Sequence, residues 1–259
     1  MDTSRTPSKN IVMLSDAFRA RIPGVRCLVA FTGAGMSAES GVSTFRGEDG
    51  IWQKFKPEEL ASFDAFIRNP SLVWEWYAHR KKVLSSVEPN PGHLALANME
   101  TLFPEVHVIT QNIDNLHRRA GSQRVHELHG NLQRNYCIDC RNPVSNEGLD
   151  LDAGAPRCRQ CGGLIRPDVV WFGELLPLDA WDRSIGACRR ADLFLSIGTS
   201  GVVYPAATLP GISRGAGAYV VEINPEYTAL SDFVDETLLG KSGEILPEVV
   251  RLMKIELRK

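Results

Sequence analysis

Long hydrophobic runs are missing from this sequence. No apolar stretch approaches the roughly 18 residues that a bilayer-spanning helix needs, so a membrane-embedded protein is not expected. An excess of one charge is missing as well. Lys and Arg number 29 against 31 Asp and Glu, a formal net charge of -2. A protein that grips nucleic acid through its phosphates normally presents a basic face, and this balance argues against one. No internal repeat and no low-complexity tract is present. The opening residues, MDTSRTPSKN, are polar. They lack the apolar centre of a secretory signal and the Arg/Ser-rich, acid-poor look of a transit peptide. They lead into a helical pattern at Ile11, Leu14, Phe18 and Ile22. A soluble, cytoplasmic protein is expected.

What is present is ordinary globular material: 259 residues, 43% hydrophobic and 23% charged, enough for a sizeable core. Four short aliphatic runs read as buried strands: Cys27 to Thr32, Val106 to Thr110, Asp192 to Gly198 and Tyr219 to Ile223. Helical patterns lie between some of them, such as Gly92 to Leu102 and Leu178 to Arg190. Buried strands alternating with helices predict an α/β fold: a parallel sheet with helices on both faces and ligands at the strands' carboxyl ends. Residues 36–87 and 134–163 break the alternation. The first holds short helical patterns rich in aromatics, and the second holds paired cysteines and turn formers. Both are expected to form a smaller domain beside the sheet, which is itself built from 1–35, 88–133 and 164–259.

The run CLVAFTGAGMSAESG is a strand feeding a glycine-rich turn, with Gly33, Gly35 and Ala38 at G-x-G-x-x-[GA] spacing. Glycines let a backbone approach a pyrophosphate, and the next helix offers unpaired N–H groups. An ordinary tight turn would read the same way. A dehydrogenase would follow with a second strand ending in an acid about 20 residues on. GEDGIWQKFKPEEL stands there instead, so a dinucleotide would be held differently. The nearest ribose candidates come late, at Asn224 and Glu226.

Of six cysteines, four form C-x2-C-x17-C-x2-C: Cys137, Cys140, Cys158 and Cys161. Four thiolates in two knuckles suit tetrahedral zinc, and a four-ligand site has no open position, so its role is structural. A redox dithiol and a nucleic-acid-binding ribbon are the rival readings. Arg134, Arg141, Arg157 and Arg159 favour the ribbon, while the scarcity of Lys opposes it. Cys27 and Cys188 read as small buried hydrophobes.

Two further segments place polar groups after apolar runs. VHVITQNIDNLH supplies Gln111, Asn112, Asp114 and His117, and RVHELHGNL supplies His126, His129 and Asn131. A histidine at a strand end can act as a base near neutral pH. His129 is the leading candidate. His117 and His126 stay open, and His79, His93 and His107 read as surface or packing residues.

GAGMSAESGVSTFRG, TQNIDNLH, ELHGNL, the two cysteine pairs, VVWFGE, GTSGVVYPAA and INPE occur in that order, across about residues 10 to 250. Together they resemble the sirtuins, the NAD-dependent protein-lysine deacylases. The resemblance implies a Rossmann-like domain plus a small domain carrying a zinc knuckle and a helical module. It implies NAD contacts from Gly33, Ala34, Gly35, Ser37, Glu39, Phe45, Arg46 and Trp52. Gln111, Asn112, Ile113 and Asp114 would line the nicotinamide pocket, with Asn112 and Asp114 also counted as catalytic. Gly198, Thr199 and Ser200 would meet phosphates or ribose. Asn224, Pro225 and Glu226 would meet the adenosine ribose, and Ser242 the adenine. Val169, Val170, Trp171, Phe172, Gly173 and Glu174 would pair with a substrate peptide as an added strand. Ser43 and Gly201 depart from the family's usual proline and serine.

The resemblance also implies chemistry. NAD is consumed rather than reduced. The acyl amide oxygen attacks the nicotinamide ribose, nicotinamide leaves, and His129 accepts a proton from a ribose hydroxyl. The products are free lysine, nicotinamide and O-acyl-ADP-ribose. Tyr77 and Arg80 lie three residues apart in WEWYAHR, which puts them on one helix face. Read alone, they are a packed aromatic and a solvated arginine. In the family, a Y-x-x-R pair marks the branch that removes malonyl, succinyl and glutaryl groups. The expected partners are acylated-lysine proteins or peptides, and a monomer is expected. Protein mono-ADP-ribosylation and a non-enzymatic zinc-ribbon module are the alternatives.

Overall fold

The computed structural model describes residues 12–43, 57–147, 149–150 and 153–259. Among them the strands, in chain order, are β1 (Cys27–Thr32), β2 (Glu105–Thr110), β3 (Val125–Glu127), β4 (Gly130–Cys137), β5 (Pro143–Val144), β6 (Ile165–Val169), β7 (Leu193–Ile197), β8 (Tyr219–Asn224) and β9 (Glu236–Leu239). The α-helices are α1 (Asp16–Arg21), α2 (Gly35–Ala38), α3 (Pro57–Leu60), α4 (Phe63–Arg68), α5 (Pro70–Ser86), α6 (Pro91–Met99), α7 (Leu116–Arg119), α8 (Leu178–Arg190), α9 (Leu209–Gly215) and α10 (Ser242–Glu256).

Six strands form one parallel sheet in the order β3-β2-β1-β7-β8-β9. All six residues of β1 and all five of β7 are buried, as central strands covered on both faces must be. Successive side chains along a strand point to opposite faces. Leu28 and Ala30 of β1 therefore join Val106, Val108, Leu193, Leu195, Val221 and Ile223 under α1, α6 and α10. Val29 and Phe31 join Ile109, Phe194 and Val220 on the other face, under Ala187 and Cys188 of α8 and Leu209 of α9.

The chain builds β1, β2 and β3 outward in one direction, then returns to the middle and builds β7, β8 and β9 in the other. The reversal lies between β1 and β7. Open α/β sheets leave a crevice at the carboxyl ends of the strands at such a point. Three antiparallel strands, β5-β4-β6, make a second sheet. It packs against the helical module: Leu132 and Val169 share a cluster with Phe66, Val73 and Tyr77. Trp74 of α5 also packs against Cys137, Cys158 and Ile165. No helix among the described residues is long and apolar enough to cross a membrane.

Candidate active site

The crevice at the sheet's reversal point collects the glycine-rich turn, the residues after β2, and the loop after β7. Gly33 donates its N–H to Ile197 O at 3.0 Å, and Gly35 to Gly198 O at 2.9 Å. A Cβ on Gly33 would sit 2.7 Å from Gly198 O, and one on Gly35 2.8 Å from Gly198 Cα. These glycines are thus required by the close approach of two loops, before any phosphate is considered. Thr199 is buried and accepts from Gln111 Nε2 at 3.0 Å. Ser200 is exposed, and Gly198 and Ala34 are half-buried on the crevice rim. Gly201 has φ +68°, and a Cβ there would meet Leu230 Cγ at 2.7 Å. That accounts physically for glycine where serine is usual.

Behind the rim lies a buried polar network. Ser37 Oγ donates to Asp114 Oδ2 at 2.7 Å and accepts from Asn112 Nδ2 at 3.1 Å. Asn112 Nδ2 also donates to Gly33 O at 2.9 Å, which ties the residues after β2 to the turn after β1. Asp114 Oδ1 accepts the Leu116 N–H at the start of α7. Burial raises the Asp114 carboxyl above its ordinary range, opposed by the Leu116 and Ser37 hydrogen bonds and by the nearby Arg80 charge.

His93 belongs to this network, although it reads as a packing residue in the sequence. Its Nδ1 accepts the Asn90 N–H in a capping box at the start of α6. The proton therefore sits on Nε2, which lies 3.4 Å from Ser37 Oγ. Burial holds His93 down to about 4. His117 lies against it, ring centroids 4.8 Å apart, with Nε2 2.9 Å from Thr32 Oγ1. The N-P-G-H pattern at the start of α6 is the signal that could have pointed to His93's cap, though not to its contact with Ser37.

His129 stands half-buried between β3 and β4. Its Nδ1 is 3.0 Å from Gln111 O. A carbonyl can only accept, so Nδ1 carries the proton and Nε2 keeps a lone pair. Burial lowers the imidazole below its ordinary value, and the Gln111 carbonyl pulls the other way. The following residue, Gly130, has φ +79° and faces Asp168 O so closely that no Cβ fits. Val170 N returns a 2.9 Å bond to His129 O. The β4–β6 contact thus requires glycine at 130. Two residues before His129, the buried Glu127 accepts from Arg118, Arg134 and Asn131 and braces the same corner. Burial alone would raise its carboxyl, but the Arg134 and Asn131 hydrogen bonds leave it lowered.

Tyr77 and Arg80 lie on α5 facing this region. Tyr77 is 3% exposed, and its hydroxyl accepts from Trp171 Nε1 at 2.7 Å. Burial pushes that phenol up to about 12. The Arg80 guanidinium lies 5.0 Å over the Trp76 ring. Burial lowers its pKa, while Tyr77 and Asp114 act in the opposite direction. Arg166 supports the group from behind, and the sequence reading missed it. It is 2% exposed, stacks 3.3 Å from the Trp171 ring centroid, and grips Glu174 with two nitrogens.

The other residues expected to meet NAD or substrate have their own partners. Glu39 accepts from Gly243 N at 2.7 Å and Ser242 Oγ at 3.2 Å, so both lie at the amino end of α10. Asn224 is half-buried and donates to Glu226 O, and Pro225 and Glu226 are exposed. Ile113 O accepts from Leu132 N at 2.9 Å. In the segment from Val169 to Glu174, Trp171 N donates to Glu174 Oε2 and Phe172 N to Ala61 O. Phe172 and Gly173 are exposed. Phe45, Arg46 and Trp52 lie outside the described residues.

The four paired cysteines converge. Their sulfurs all lie within 4.8 Å of one another, with Cys137–Cys161 at 3.4 Å and Cys140–Cys158 at 3.8 Å. Zinc–sulfur bonds of about 2.3 Å place tetrahedral sulfurs about 3.8 Å apart. The knuckles are built alike: Cys137 O accepts from Arg141 N and Cys158 O from Gly162 N, and both donors have positive φ. A backbone N–H from Cys140 helps hold the Cys137 thiol down at about 7, which favours thiolate. The donor set fits one structural zinc.

Comparison with known proteins agrees with this geometry. The profile of the Sir2 family matches residues 33–205. An NAD-dependent protein deacylase of Aquifex aeolicus is 50% identical over 222 residues, 86% of this chain and 93% of that protein. NAD-dependent protein deacylase 2 of Pyrobaculum aerophilum is 51% identical over 233 residues, covering 90% and 93%. Among solved structures, a Sir2 homologue in complex with NAD superposes with a TM-score of 0.88 at 45% identity, covering 95% of this chain and 96% of the other. This chain therefore belongs to the Sir2 family.

Proposed function

We propose that this protein is an NAD-dependent protein-lysine deacylase that prefers succinyl and malonyl groups and also removes acetyl groups. The observation that carries the reading is His129: a neutral imidazole with its proton fixed on Nδ1 and its Nε2 lone pair free, at the crevice. Such a nitrogen can take a proton from a ribose hydroxyl. The relatives' names support the NAD-dependent deacylase part. Gly33, Gly35, Gln111, Thr199 and the Ser37–Asn112–Asp114 network surround the space where the dinucleotide would lie. Ala34, Gly198 and Ser200 would border its phosphates. Glu39, Ser242 and the Asn224–Pro225–Glu226 turn would bound its adenosine end, and Phe45, Arg46 and Trp52 would complete the cofactor loop. NAD, when bound, supplies the ribose carbon that receives the acyl amide and the nicotinamide that leaves.

Two features support the acidic-acyl preference. Tyr77 Oη accepts from Trp171, so its own proton remains to be donated elsewhere. Arg80 shares its helix face and stays a cation that can pair a carboxylate with two parallel hydrogen bonds. The segment Val169 to Glu174 would border the acyl-peptide, and the protein would act as a cytoplasmic monomer. We further assign 1–35, 88–133 and 164–259 to the NAD-binding domain and 36–87 with 134–163 to the small domain, although β4 straddles the boundary at 133 and β6, of the same second sheet, lies beyond the one at 164. Incubation with NAD and succinyl-, malonyl- and acetyl-lysine peptides tests the reading. Nicotinamide and O-acyl-ADP-ribose should appear by mass spectrometry, fastest with the acidic acyl groups. ADP-ribosylated protein without O-acyl-ADP-ribose would favour the transferase alternative instead.

A further inference from the structure

We propose that Cys27, Glu105 and His107 form a second divalent-metal site of zinc type, at the amino-terminal edge of the parallel sheet. Cys27 opens β1 directly opposite Glu105, and Val29 pairs with His107, so all three side chains project from one face of the sheet. Their ligand atoms lie within 4.8 Å of one another. Cys27 is 4% exposed and His107 7%, while the Glu105 side chain is 34% exposed and opens the cluster to solvent. The site is distinct from both the cysteine cluster and the crevice. β1 is six residues long, which separates Cys27 from Gly33 by about 20 Å.

A thiolate, an imidazole and a carboxylate are the donor types zinc takes, and three protein ligands leave a fourth position for water. The surroundings also match a metal site's outer shell, in which the ligating imidazole is oriented through its second nitrogen. His107 Nε2 now donates to Glu105 Oε1 at 2.6 Å, and His107 Nδ1 lies 2.9 Å from His126 Nε2. Glu105 Oε1 also accepts from Arg190 Nη2 at 2.7 Å, which links the cluster to α8. On metal binding, His107 Nε2 becomes the ligand and its proton moves to Nδ1, where it is donated to His126 Nε2. His126 then carries its own proton on Nδ1. Both rings change tautomer without changing charge. The Cys27 thiol gives its proton to solvent, so one proton leaves per metal bound. Among the described residues the thiol makes a long hydrogen-bond contact, 4.0 Å to Ala187 O, which a metal could displace.

The test is zinc stoichiometry on the full chain. Protein loaded with zinc chloride and dialysed against metal-free buffer is assayed by elemental analysis. Two equivalents are expected for the wild type and one for Cys27→Ser and for His107→Ala, with the four-cysteine zinc retained. Titration with cobalt(II) gives a second readout that needs no variant. A second binding phase with thiolate-to-cobalt absorption, releasing one proton, is expected. A single equivalent in the wild type with no second cobalt phase would overturn the proposal. So would two equivalents that survive in the folded Cys27→Ser protein, which would mark the extra ion as adventitious.

Discussion

His129 donates from Nδ1 to the carbonyl of Gln111 across 3.0 Å, and this one bond decides which nitrogen can act as a base. The bond links the end of β3 to the end of β2, so the sheet itself sets the tautomer. Replacing His129 with Ala should lower deacylation by about 10²–10⁴, the usual worth of a general base, while NAD binding persists. Burial lowers the His129 pKa, and the base works only when neutral. Activity should therefore hold as pH falls through the ordinary histidine value of about 6.5 and be lost only below it. The pH profile of kcat/KM checks this. An acidic limb at or above that value would contradict the assignment.

Gly130 adjoins that base, and its φ of +79° places it against Asp168 O. Gly130→Ala adds the left-handed penalty of roughly 1–2 kcal/mol and a steric conflict with backbone. Urea denaturation should show a loss at least that large, with kcat/KM reduced because the β4–β6 contact also holds His129 O through Val170. Unchanged stability would mean the backbone relaxes freely there.

The four-cysteine cluster shares its small core with Trp74 and Ile165. Binding energy of a structural zinc is folding energy for such a segment, roughly 10–16 kcal/mol in small zinc peptides. Cys158→Ser should lose that zinc and melt at a lower temperature. An unchanged melting temperature with full zinc content in this variant would argue against the site.

Arg80 and Tyr77 lie three residues apart on α5, with the Tyr77 hydroxyl accepting from Trp171 and the Arg80 charge felt by Asp114. A succinyl carboxylate can take charge-assisted hydrogen bonds from Arg80 that an acetyl group cannot, and a hydrogen bond to a charged group is worth about 1.5–3 kcal/mol. That is on the order of tenfold to a hundredfold in discrimination. Arg80→Met should remove most desuccinylation and spare deacetylation, read as kcat/KM on paired peptides. Equal losses on both would make Arg80 a structural residue.

Strand β1 coincides with the apolar run from Cys27 to Thr32, and α8 with the pattern from Leu178 to Arg190. Central strands buried on both faces, and helices with one apolar face, write their limits into composition. β3 and β9 were not legible. They are edge strands of only three and four residues, too short to stand out from loops. The cysteine spacing announced the zinc cluster because both knuckles are local turns. The Ser37–Asp114 bond could not be read in that way. It joins residues 77 apart, and Gly33 meets Gly198 across a still longer separation.

The sequence by itself determined the parallel α/β core and the four paired thiols that suit a zinc. These depend on periodicity, spacing and local turn chemistry. Only the tertiary structure decided that His93 belongs to the polar network, that Arg166 props Trp171, and that Glu39 caps α10. It alone brought Cys27, Glu105 and His107 together. A side chain's partner is set by strand order and register, which bring distant segments side by side, and one residue of slip between β1 and β2 would turn Glu105 and His107 away from Cys27 to the opposite face.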